Sequence, residues 1–211
     1  MILSSRDIDQ RCQVLTGKLW GSIQQPMIWP YVNEKVVHEC GFSYGLSGAS
    51  YDLRVAEDVY LPPNPVYLLA QRLIQKPFYA GSPERANTYH LNDWLQTLIS
   101  CPDMCQSRKS YTLEYLTIPD DVCGFVVDKS SYARRFVSAM NTLFDPGFCG
   151  HGVLELVNLS RDPVMIRAGE PICQMVFHKV TPGAVPYDGK YQNQTPGAHG
   201  VRYERQDGSW E

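Results

Sequence analysis

The strongest constraint on the fold is the rhythm of the chain between residues 111 and 180. Apolar stretches at 111–118, 124–128, 153–159, 163–167 and 172–180 are separated by breaks rich in Gly, Pro and Asp. Segments this short between turn formers predict antiparallel β-structure, a sandwich or jelly roll rather than a parallel α/β sheet. Within 153–159 the period of two puts Leu154 and Leu156 on one face and Val153, Glu155 and Val157 on the other. Glu155 is thus a lone carboxylate between valines. On a covered face, desolvation would raise its proton affinity and make it a proton carrier near neutral pH; on an open face it is an ordinary solvated glutamate. In 172–180, Cys173, Met175 and Phe177 share one face and Gln174 takes the other.

Residues 128–158 hold the densest chemistry. Ser130 and Ser131 precede Tyr132-Ala133-Arg134 and can open a short helical turn, with hydroxyls, free N–H groups and a guanidinium suited to an anion. A net charge of −3 and a pI near 5.9 argue against a nucleic-acid binder acting through bulk charge. Phosphate binding then needs a local cluster, and Lys129, Arg134 and Arg135 supply one. Asp145-Pro146-Gly147 reads as a turn, which needs no catalytic role to explain it.

Elsewhere, Ser4 or Ser5 caps a first helix with Ile8, Cys12 and Leu15 on one stripe and Gly17 as its stop. Residues 18–50 read as loop with short strands, and 50–55 as a strand. Residues 61–65 form a turn-prone break. Leu91, Trp94, Leu95 and Leu98 recur at helical spacing, predicting an amphipathic helix over 89–100 that ends near Pro102. Residues 182–200, rich in Pro, Gly, Gln and Tyr, read from composition alone as a mobile tail. Neither a signal peptide nor a stretch of ~20 apolar residues is evident. Seven cysteines at irregular spacing fit reduced thiols. A soluble cytoplasmic protein with no membrane or nucleic-acid partner is expected, and a phage-encoded origin is compatible with this.

The blocks KSSYAR (129–134), DPGF-x-GHGVLELVN (145–158), GEPICQMVF (169–177) and PYDGKYQNQ (186–194), preceded by MILSSRDI (1–8) and SYDLRV (50–55), resemble the dCTP deaminase branch of the dUTPase-like superfamily. The resemblance implies a mainly β, distorted jelly-roll or barrel fold with a few short helices, assembled as a homotrimer with active sites shared between subunits. It implies one nucleotide-binding domain over 1–180 with an insertion around 66–110, and a tail over 181–211 that closes the site. Glu155 would be the catalytic proton shuttle. Lys129, Ser130, Ser131, Arg134 and Gln174 would hold the triphosphate, Asp145 the sugar, and Tyr187, Lys190, Tyr191 and Gln194 of the tail would cover the ligand. Asp52 would belong to the first nucleotide-binding motif. Magnesium would arrive with the nucleotide, bound through phosphate oxygens and water without direct protein ligands, and dTTP is a possible feedback inhibitor.

A zinc deaminase would need H-x-E with a distant P-C-x-x-C. Cys101 and Cys105 are one residue too far apart, and His38-Glu39-Cys40 lacks the gap, so zinc is not expected. The chain departs from the family at Met140-Asn141-Thr142-Leu143, the run expected to line the base pocket, with Asn141 and Thr142 as its polar members. That change leaves cytosine and 5-substituted cytosine both open. The expected activity is zinc-free hydrolytic deamination of dCTP or a close analogue, feeding dUMP and dTTP synthesis. The alternatives are a bifunctional deaminase and dUTPase, a dUTP pyrophosphatase, or a non-catalytic nucleotide sensor.

Overall fold

A computed structural model describes residues 1–13, 19–20, 23–24, 26–64, 107–140 and 142–203. The predicted helix over 89–100, the insertion around 66–110 up to residue 106, and Leu15, Gly17 and Asn141 lie outside the described residues. Helix α1 (Ser5–Gln13) starts where the hydroxyl pattern placed it. The Asp7 N–H reaches the Ser4 Oγ, while the Ser4 N–H and hydroxyl both donate to the Asp7 carboxylate, a reciprocal cap. Its Ile8 and Cys12 are buried.

The strands in chain order are β1 (Leu19–Trp20), β2 (Ile23–Gln24), β3 (Ile28–Trp29), β4 (Lys35–Val37), β5 (Ser43–Leu46), β6 (Tyr51–Arg54), β7 (Val59–Leu61), β8 (Ser107–Thr117), β9 (Val122–Asp128), β10 (Val137–Ala139), β11 (Leu143–Phe144), β12 (Cys149–Asn158), β13 (Val164–Ile166) and β14 (Pro171–Lys179). A short helix α2 (Ser130–Ala133) links β9 to β10. One sheet runs β10-β12-β8-β3 and a larger one β11-β9-β14-β6-β5-β4, with β13-β7 as a small third ladder. All pairings between these strands are antiparallel. The chain is mainly β, as its turn-punctuated rhythm predicted.

The core is formed by inward residues, among them Leu53, Leu116, Leu154, Leu156, Met175 and Phe177. The alternation read from β12 and β14 holds: Leu154 and Leu156 are inside while Val153, Glu155 and Val157 are partly exposed, and Gln174 faces away from Cys173, Met175 and Phe177. One irregularity matters for the site. Between His151 and Val153 the β12–β8 register shifts, so that Thr112, Leu113 and Glu114 stand opposite Gly152 alone. Thr112 fills this bulge by accepting the Gly152 N–H through Oγ1 at 2.9 Å and donating the same hydroxyl to the Glu114 carbonyl at 2.7 Å.

Candidate active site

The outward face of β12 forms one wall of a cavity of about 490 Å³. Val153 and Glu155 line it from β12, and Lys109 lines it from β8. Thr142, Leu143, Phe144, Asp145 and Phe148 close one side, and the tail, through Tyr187, Lys190, Tyr191, Gln194 and His199, closes another. Glu155 is partly buried, and among the described residues no hydrogen bond or ion pair engages its carboxylate; only its main-chain carbonyl is bonded, by the Met140 N–H.

Asp145 is presented by a tight turn. The Phe148 N–H bonds back to the Asp145 carbonyl, with Pro146 and Gly147 between them and Gly147 at φ 89°. Pro followed by a residue of positive φ is the requirement of a type II turn, so the Asp-Pro-Gly reading stands.

The tail is docked, not trailing. The Tyr187 N–H bonds to the Pro146 carbonyl, the Asn193 N–H to the Cys149 carbonyl and the His151 N–H to the Gln194 carbonyl. Gln192 bridges with its amide, accepting from the Cys149 N–H and donating to the Gly147 and Tyr187 carbonyls. Gln194 is buried, and its side-chain amide donates to the His151 carbonyl at 2.8 Å. The Tyr187 hydroxyl accepts the Tyr191 N–H, and the Lys190 ammonium lies over the Tyr191 ring, 5.4 Å from its centre. Composition alone had suggested mobility because these bonds are made by main chain and amides, which carry no hydrophobic periodicity.

The residues expected to hold phosphate are elsewhere. Ser130, Ser131 and Arg134 lie on or just after α2, Gln174 lies in the middle of the larger sheet, and none of them lines the cavity. Ser130 and Arg134 are exposed, and Ser131 and Gln174 partly so. Lys129, also expected at the phosphates, has a partner inside the chain. It is buried at the N-terminus of α2, and its ammonium is bonded to Asp52 at 2.7 Å. Asp52 is equally buried in β6, and its other oxygen has no hydrogen-bond partner among the described residues. A charge so enclosed serves the interior before any ligand.

A second buried pair lies nearby. The Arg54 main-chain N–H and Nε donate to the two oxygens of Glu114, at 2.9 and 2.7 Å. Glu114 is fully buried, and desolvation pushes its carboxyl above the usual carboxylate range against the opposing pull of Arg54. Among the described residues no group of three or more His, Cys, Asp or Glu is arranged to hold a metal; Cys101 and Cys105 fall outside that set. No helix of the described residues is long and apolar enough to cross a membrane.

A family model described as dCTP deaminase-like matches residues 110–180. A dCTP deaminase of Protochlamydia amoebophila is 32% identical over 182 residues, spanning 82% of this chain and 89% of that protein. The chain belongs to the dCTP deaminase family. A dUMP-forming dCTP deaminase of Dictyoglomus turgidum is 42% identical over 90 residues, 39% of this chain and 46% of that one. Among solved structures, the 2′-deoxycytidine 5′-triphosphate deaminase from Agrobacterium tumefaciens aligns at a TM-score of 0.41 and 18% identity, over 85% of this chain and 48% of that chain. The family assignment rests on the curated relatives.

Two features of this family member escaped sequence reasoning. Lys109 stands opposite Glu155 in the β8–β12 register, a pairing that no local pattern encodes. His199 reaches the cavity from beyond the last recognisable block, with its Nε2 against the Thr195 carbonyl at 2.9 Å.

Proposed function

We propose that this protein hydrolyses the exocyclic amine of dCTP, converting dCTP and water to dUTP and ammonia. The observation that carries this reading is the Glu155 carboxylate, partly buried, unengaged among the described residues, and facing a cavity roofed by the tail. Such a group can accept a proton from water as oxygen adds to C4, then deliver it to N3. It can next take the proton of the new C4 hydroxyl and pass it to the amine, so that the carbonyl forms, the C4–N bond breaks and ammonia leaves. The carboxylate is regenerated, and no other proton carrier is needed.

In the same reading, Asp145 meets the sugar, Asn141 and Thr142 flank the base, and Tyr187, Lys190, Tyr191 and Gln194 cover the nucleotide. Ser130, Ser131, Arg134 and Gln174 hold the triphosphate. Because these four do not line the cavity of their own chain, a complete site needs a second copy, which supports a homotrimer with shared sites. Lys129 would contribute only by fixing the start of α2 through Asp52. Magnesium would be held by phosphate oxygens and water. A dTTP molecule would offer the same triphosphate to the same donors and so act as a feedback inhibitor. The cytoplasm, where dCTP is made, is the expected compartment.

Incubation with dCTP and magnesium, scoring ammonia, dUTP and pyrophosphate separately, tests the reading. Ammonia and dUTP are expected, and the rate of both should fall by orders of magnitude in Glu155→Gln while nucleotide binding survives. Pyrophosphate from dUTP with no ammonia from dCTP would reject it.

A further inference from the structure

Glu155 is only partly buried in its chain, so charged neighbours can act on it as well as burial. The β8–β12 register supplies one. Lys109 is the direct cross-strand partner of Glu155, and both side chains face the same cavity. Directly opposed residues of an antiparallel pair have Cβ atoms about 4.5–5.5 Å apart, close enough for a lysine and a glutamate to interact. Among the described residues, no acidic group is bonded to the Lys109 ammonium.

The other groups facing Glu155 do not duplicate it. From β8 the neighbouring outward residue is Tyr111, paired with Val153. From the turn before β12 comes Asp145, a like charge, and from the tail come Tyr187, Tyr191, His199 and Lys190. Lys190 already lies over the Tyr191 ring. Strand β10, on the other flank, carries Val137, Ser138 and Ala139 and no titratable side chain. Lys109 is thus a cation built into the same sheet as the carboxylate and lining the same cavity.

We propose that Lys109 is a positioning residue for Glu155. From its place across the strand pair its ammonium can swing to the carboxylate, favouring the charged form before water is activated and making the protonated form a stronger donor to N3 and the leaving amine. An opposite charge brought near a carboxylate favours its charged form, so the shuttle is unprotonated when water arrives and gives its proton up readily afterwards. The inference rests on the deaminase reading for its catalytic consequence, but the coupling between the two side chains is measurable without turnover.

The experiment uses the full chain and two readouts. The first is the carboxyl titration of Glu155 by NMR with 13C-labelled glutamate, the resonance being assigned by its absence in Glu155→Gln. Lys109→Met should raise the midpoint by roughly half to one pH unit, a modest shift because the lysine is exposed, and Lys109→Arg should restore most of it. The second is the pH profile of dCTP deamination. The acid limb of kcat/KM should move up by the same amount in Lys109→Met, so that the defect is several-fold on that limb and shrinks as pH rises, with Lys109→Arg again close to wild type. An unmoved Glu155 titration in folded Lys109→Met overturns the proposal, as does a loss of activity equal at every pH. Absence of ammonia release in the wild type would sink the deaminase reading instead, and the titration would still decide the coupling.

Discussion

Glu114 and Glu155 sit on neighbouring strands of one sheet, each within reach of a cation, yet they lead opposite lives. Glu114 points inward from β8, is fully buried, and has both oxygens bonded by Arg54. Glu155 points outward from β12 into a cavity, with Lys109 opposite and no bond to its carboxylate among the described residues. The same division separates Asp52, locked to buried Lys129, from Asp145, held out on a turn at the cavity rim. A charge whose partner is enclosed with it is part of the architecture, because removing either member strands the other in low dielectric. A charge left open to a cavity has its hydrogen-bonding capacity free for a ligand.

The sharpest way to break this contrast is to exchange the outcomes of the two glutamates. Glu155→Gln should lower kcat for dCTP deamination by about 10²–10⁴-fold while changing the urea unfolding free energy by no more than ~0.5 kcal/mol. A destabilised Glu155→Gln with normal turnover would erase the distinction. Glu114→Ala should do the reverse, destabilising the chain by about 3–5 kcal/mol by leaving the largely enclosed Arg54 charge unanswered. Urea denaturation would show it, and a loss under ~1 kcal/mol would contradict a structural role.

Gly150→Ala probes the tail that makes the cavity a cavity. Gly150 has φ 144°, and a Cβ there would lie 2.7 Å from the Gln194 main-chain nitrogen. The substitution should cost about 1–3 kcal/mol and loosen residues 186–194, read as faster proteolysis there and a higher KM for dCTP. The smallest effect belongs to a partly exposed pair. Arg11 donates two hydrogen bonds to Asp121, at 2.8 and 2.7 Å, and these hold its carboxyl below the usual range. A depressed carboxylate contributes stability above its unfolded pKa and loses it as pH falls through the folded one. Arg11→Ala should therefore cost no more than ~1 kcal/mol near neutrality, and the difference from wild type should disappear as the pH drops below ~4.

Much of this protein was readable one element at a time. The alternation in β12 and β14 assigned inside and outside correctly, Ser4 marked the first helix, and Asp-Pro-Gly marked the turn that presents Asp145. What misled was any residue whose role depends on a distant partner. Lys129 read as a free phosphate-binding cation because Asp52 is 77 positions away in the chain. The tail read as mobile because its anchors are main-chain groups of residues 146–151.

Local pattern decided which side chains face the interior, because a strand's period of two and a helix's first turn are properties of adjacent residues. It also carried enough blocks in order to indicate the family. Pairing was decided by folding alone: that Lys109 faces Glu155, that Arg54 meets Glu114, and that Gln194 closes over His151. Register and ion pairing are set by which strands come to lie together, and electrostatic roles follow from burial. Two glutamates that are chemically identical in the chain therefore become a structural anchor and an open carboxylate only once the sheets have formed.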